Sequence, residues 1–356
     1  MFSNYKIINY ISLISSVILL LISSSCNKDN PSPIEGDFQN ALFVVNEGNF
    51  TTGNSSLTYY NRETEEVIQN VFYRNNNAPL GDVANSIFID ENSIYLTVNN
   101  SHTIFKVDKQ DASFQGKANQ LTSPSFLLKV NDSLAFVSDL YENNITVLNT
   151  TNMEIVQKIP LGRTSENMLK FGNEVFITNW SAFNQDKENN MIMVVNSQSM
   201  QVIDSIEVGK EPNSIVIDKN NNLWVLCSGG FMNDEHPSLC KINPNTHQLL
   251  SKIEFPDITN TPTNLKINPK TDSLYFLNTD VYKMSVDALS IPETPIIMQL
   301  ENINFYCLAI SPENEIYVSD ANDYNRNGEV HRYSPAGKLI SKFDAGIIPG
   351  NMTFMD

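Results

Sequence analysis

Seven aromatic residues fall in polar connections of this chain or at the strand ends beside them: Phe50, Tyr141, Trp180, Phe183, Phe231, Tyr306 and Tyr324. Amides and carboxylates surround them, among them Asn46, Glu47, Asn85, Asn100, Asp139, Asn179, Asp320 and Asp323. Flat apolar rings beside many fixed hydrogen-bonding groups suit a large, neutral, amphipathic small molecule or a carbohydrate. The competing reading is that individual rings only pack loops against the strands below. Groups that make and break bonds are scarce. His102, His236, His247 and His331 are scattered, with no His-x-x-x-His or Cys-x-x-Cys spacing, so no set of transition-metal ligands can be picked out. There is no Gly-x-Ser-x-Gly elbow and no Gly-rich phosphate loop. Asp323, Asn325, Asn327 and Gly328 follow the first half of a calcium loop, but Ser334 stands at the acidic twelfth position, and a turn explains the run equally well. The expectation is a binding protein with no catalytic residues, no metal and no cofactor.

The elements that carry these residues are short strands in a repeat. First strands begin at Ala84, Pro124, Glu166, Pro212, Pro262, Phe305 and Pro349, 40 to 50 residues apart, and second and third strands such as LWVLC from Leu223 and SLCKIN from Ser238 follow. The runs are rich in Val, Ile, Leu, Tyr and Phe and are bounded by Asn, Asp, Gly and Pro. Four-stranded units of this length are propeller blades. Six units are complete; LFVVNEG from Leu42, LTYYNR from Leu57 and EVIQNVFY from Glu66 lack a first strand, which PGNMTF from Pro349 supplies. The fold class is therefore all-β, a seven-bladed β-propeller whose C-terminal strand closes the first blade, over residues 41–356. No helix of useful length is expected. In such a meander the connections 47–56, 180–190, 229–237 and 320–328 share one face, and insertions confined to one face mark a binding face.

A net charge of −17 repels phosphate backbones, so nucleic acid is excluded as a partner. Residues 1–25 read as a signal peptide: Lys6, an apolar run from Ile11 to Ile22 too short to span a membrane well, then Ser23, Ser24 and Ser25. Cys26 after three small residues resembles a lipoprotein acylation site, although Ser23 stands where Leu is usual. Residues 26–40 form a polar, Pro-bearing tether, and Lys28-Asp29 resembles the export signal of Bacteroidota surface lipoproteins. Membrane contact is expected through the lipid alone. Cys227, Cys240 and Cys307 are odd in number; a Cys227–Cys240 bridge across a hairpin and three buried thiols both remain open.

With these features in place, residues 41–356 resemble the YncE-like (DUF5074) propeller lipoproteins of Bacteroidota. The resemblance is carried by NEGNF (from Asn46), LTYYN (Leu57), PLGDVANS (Pro79), SDLYENNITV (Ser138), EPNSIVID (Glu211), LWVLCSGG (Leu223), EIYVSDANDY (Glu315) and AGIIPG (Ala345). That group includes surface proteins that capture cobalamin beside TonB-dependent vitamin B12 receptors. The resemblance implies corrinoid capture and delivery to such an outer-membrane receptor. Alternatives are a glycan- or protein-binding scaffold on the same face, or a metal-dependent, lactonase-type hydrolase.

Overall fold

The computed structural model describes residues 32–34 and 36–355. The expected signal peptide, the acylated Cys26, the Lys28-Asp29 signal and the first part of the tether lie outside these residues. Seven antiparallel sheets form the blades, six with four strands and one with three. The inner strands of blades 2 to 7 are Ala84–Ile89, Pro124–Lys129, Met168–Phe171, Pro212–Ile217, Thr263–Ile267 and Phe305–Ile310. Pro349–Met355 is the inner strand of blade 1, followed outward by Ala41–Asn46, Ser56–Asn61 and Val67–Ile68. The chain is thus closed by its C-terminal strand, in a register running from Ala41 opposite Met355 to Asn46 opposite Pro349.

Why the strands read as they do follows from their place in a blade. A second strand is covered on both faces by the neighbouring blades, so Ser93–Val98 and Leu223–Cys227 are buried at every position. Outer strands face water, and Gln201–Glu207 is exposed at all positions but Ile206, with Asp204 and Glu207 guarding the open edge. The core lies between blades. Leu42, Val44 and Tyr60 of blade 1 pack on Tyr317, Val330 and Phe343 of blade 7, and the Tyr60 and Phe343 rings stack with centroids 4.0 Å apart. Cys227, Cys240 and Cys307 are buried free thiols, the second of the two readings left open by the sequence.

Two departures from the expected pattern have local causes. EVIQNVFY is not one strand: only Val67–Ile68 pairs, and Val71–Asn76 forms a short helix after Asn70 turns left-handed at φ 57°. Burial of Val71 and Phe72 and the Asn76 side chain, which donates to the Phe72 and Ala112 carbonyls, hold that helix against blade 2. In blade 6 the outer strand shrinks to a bridge between Val281 and Ile297. Pro292 and Pro295, just before it, cannot donate to a ladder. Among the described residues no helix is long and apolar enough to cross a membrane.

Adjacent blades are also latched by charge. His247 of blade 5 reaches Glu174 Oε2 (2.9 Å) and Asp204 Oδ2 (2.8 Å) of blade 4. Burial opposes the charged ring, but the bonds to Glu174 and Asp204 outweigh it and lift His247 above its ordinary 6.5. A raised histidine stabilises fully below the unfolded pKa and stops doing so as pH rises through the folded one. Wild type should therefore melt above His247→Ala near pH 6, and the gap should narrow through the alkaline range. A gap that is constant between pH 6 and pH 9 would show that the latch contributes no charge.

Candidate ligand-binding site

The seven inner strands converge on an axial cavity of about 660 Å³ that opens on the long-loop face. The connections 47–55, 179–190, 228–237 and 321–326 all join second to third strands, so they rise on that face together. Its wall begins with a ladder of carboxamides set near the start of the inner strands. Asn85 donates to Ser125 O (2.7 Å), Asn167 to Asn213 O (2.7 Å), Asn213 to Pro262 O (2.9 Å) and Asn264 to Tyr306 O (3.1 Å). Each side chain thereby fastens its blade to the next. No protein donor reaches Oδ1 of Asn85 or Asn167 among the described residues, which leaves both oxygens for a guest in the cavity.

Two carboxyls complete the wall. Glu47 and Glu166 keep an edge on the cavity while their carboxyl ends are deep among protein atoms. Burial lifts Glu47 from 4.5 to about 7, against a lowering hydrogen bond from the Tyr306 hydroxyl at 3.2 Å. Burial likewise lifts Glu166 to about 7, opposed by Ser125 and helped by the nearby Asp139 charge. Glu166 Oε2 is buried without a hydrogen-bond partner. Burial, then the Glu47 charge, pushes the Tyr306 hydroxyl far up. A Cβ at Gly350 would meet the Glu47 carboxylate, so a side chain there would push Glu47 from its place in the wall. Lys266 is the one basic residue of the lining, and Phe126, Trp180, Phe305 and Tyr306 supply its rings.

The residues singled out in the sequence divide into three groups. Glu47, Asn85, Trp180 and Tyr306 line the cavity. Phe50, Tyr141, Phe183, Phe231 and Tyr324 are exposed. Of these, Tyr324 meets Tyr306 edge-on at 5.9 Å, Tyr141 meets Phe183 at 4.9 Å, and Phe231 stands by a separate depression with Lys210 and Glu211.

The third group lies outside the lining of the axial cavity and engages protein partners. Asn46 is fully buried, donating to Thr58 Oγ1 (2.9 Å) and accepting from Gly346 N (2.9 Å). Asp139 accepts from the Ser123, Tyr141 and Glu142 amides, and buried Asn179 donates to Thr164 O and Ser181 O. Asn100 bonds Asp82, whose carboxylate also takes the Thr51 amide and so holds the 47–55 loop. Asp320 caps the Asn304 and Asn322 amides. Asp323 accepts from the Asn325 and Arg326 amides and pairs with Arg326, the contacts of a turn. Asn100 apart, each of these side chains satisfies backbone groups that would otherwise go unpaired.

Fold and cavity together define a seven-bladed β-propeller with a ligand-sized chamber on its axis. The family model for a domain of unknown function, DUF5074, matches residues 40–346, and the chain belongs to that family. No curated protein matches it. Among solved structures, it is similar to a quinonprotein alcohol dehydrogenase-like protein from Bacteroides thetaiotaomicron, at 18% identity and TM-score 0.68 over 90% of this chain and 79% of that one. A functionally unknown protein from Desulfotomaculum acetoxidans matches at 13% identity and TM-score 0.66, over 89% of this chain and 99% of that one. Apo AztD from Citrobacter koseri matches at 10% identity and TM-score 0.57, over 88% and 97% respectively. At these identities the likeness is one of fold.

Proposed function

We propose that this protein is a non-catalytic, surface-displayed lipoprotein that captures a corrinoid in the axial cavity and passes it to a TonB-dependent outer-membrane receptor. The observation that carries the binding reading is the chemistry of the wall. In a chain of net charge −17, the cavity presents carboxamides, aromatic rings and two carboxyls that hold their protons up to about pH 7. Such a wall pairs with the neutral donors and acceptors of a ligand. A corrin rimmed by amides has that chemistry. A chamber of about 660 Å³ suits a drug-sized portion of it, and the exposed rings of Phe50, Tyr324 and Phe183 stand on loops of the same face. Support for the anchor and for the receptor comes from the N-terminal signals and from the family resemblance.

The test is titration of the purified protein with cyanocobalamin, followed by heat and by quenching of Trp180, which is 37% exposed whereas Trp224 is buried. Saturable binding at micromolar concentration or tighter is expected. Trp180→Ala should weaken it roughly tenfold or more, about 1.4 kcal/mol. Heat with polysaccharide and none with corrinoids would move the reading to a glycan-binding scaffold. Lactone turnover abolished by a chelator would move it to a hydrolase.

A further inference from the structure

We propose that Asp320, Glu329 and His331 of blade 7 form a binding site for a first-row divalent cation of the zinc class. The hairpin register creates the group: Asp320 at the end of one strand lies opposite Glu329, and His331 follows two residues on, on the same face as Glu329. One ligand atom from each lies within 4.8 Å of the other two. His331 Nε2 and Glu329 Oε2 are 3.3 Å apart. That is long for a charged hydrogen bond, and it is close to the ~3.4 Å that separates two ligand atoms each ~2.1 Å from a tetrahedral ion.

The surroundings are built for the same occupant. Asp320 and His331 are both more than nine-tenths buried. Asp320 Oδ1 is held by the Asn304 and Asn322 amides, while no donor among the described residues reaches Oδ2. His331 Nδ1 lies 3.3 Å from the Tyr333 hydroxyl, the kind of outer contact that orients a ligating imidazole and leaves Nε2 for the metal. The group borders a cavity of about 360 Å³ lined also by Asn322, Asn327 and Asp344, with room for solvent to complete the coordination. Against the carboxylates stands Lys342, 2.8 and 3.0 Å from Glu329. Its side chain is 57% exposed, so a dication can displace it into water. One imidazole and two carboxylates favour zinc or manganese over calcium or magnesium, which take oxygen ligands. The ion would also be linked to the axial cavity by two contacts, because Asp320 caps Asn304 and His331 packs edge-on against Phe305, both of which line it.

The experiment is calorimetric titration of tag-free, chelator-treated protein with zinc chloride, with calcium chloride as the control. The expected result is a stoichiometry near one, a dissociation constant at or below about 10 µM and a higher melting temperature with zinc. Glu329→Gln, at a half-exposed position that leaves the core intact, should weaken zinc binding roughly tenfold or more, as should His331→Ala. His102→Ala should leave it unchanged. No heat at about 100 µM zinc, or equal binding by Glu329→Gln and the parent, would overturn the site and leave a plain His331–Glu329 hydrogen bond. The outcome does not depend on corrinoid binding, which is measured separately.

Discussion

Removal of residues 347–356 is expected to abolish cooperative unfolding rather than to trim stability. The strand Pro349–Met355 supplies the inner edge of blade 1, its buried Met352 joins the core shared with blade 7, and Pro349 O accepts from buried Ser319 Oγ at 2.7 Å. Without it, the Ala41–Asn46 strand, buried at every position, loses its partner on one side. Each buried backbone group left unpaired costs about 1–3 kcal/mol, and several at once exceed the about 5–15 kcal/mol by which a folded domain is ordinarily stable. Calorimetry should show the parent melting in a sharp transition and the truncated chain showing none. A milder companion, Met352→Ala, should cost about 2–5 kcal/mol through the cavity it opens. A truncated protein that melted with the parent would mean that the ring is closed by something else.

The second large effect lies in the axial cavity and is set by pH. Glu47 and Glu166 each rise from 4.5 to about 7 on folding. An acid whose pKa is raised stabilises fully below its unfolded value, and that stability is lost as pH climbs from 4.5 to about 7. At about 1.4 kcal/mol per pKa unit, each glutamate then opposes folding by on the order of 3 kcal/mol above neutrality. Glu166→Gln should therefore raise the melting temperature at pH 8 and change it little at pH 4.5. Equal effects at the two values would show that water reaches this carboxyl and that the wall is charged. The same measurement bears on ligand choice, since a charged wall would favour a cation.

The blades were legible because strand identity depends on patterns that survive in one dimension. Ala84–Ile89, Pro124–Lys129, Pro212–Ile217 and Phe305–Ile310 occupy the spans that their apolar runs and flanking turn residues indicate. The helix at Val71–Asn76 was not, since its six residues are held by the Asn76 contacts to another blade and not by propensity. For the site, position told more than chemistry did. Which face carries the loops follows from counting strands, but Asn46, Asp139 and Asn179 look like any other exposed polar residue until the backbone amides and carbonyls they satisfy are seen. Glu166 went unnoticed because an acid beside an inner strand reads as surface. The carboxamide ladder did leave a trace, an Asn near the start of the inner strand in ANS, ENM, PNS, TNL and PGN. Asp320, Glu329 and His331 left none, because only the hairpin register brings them together.

The Asn46 carboxamide and the Gly346 amide that it accepts from are 300 residues apart in the chain. At the about 5–20 residues per second of protein synthesis, roughly 15–60 s separate the birth of the two ends of that bond. For all of that interval the largely apolar Ala41–Asn46 segment lacks the strand that pairs with one of its edges. Until the last strand emerges, that unpaired edge is open to mispairing with other chains.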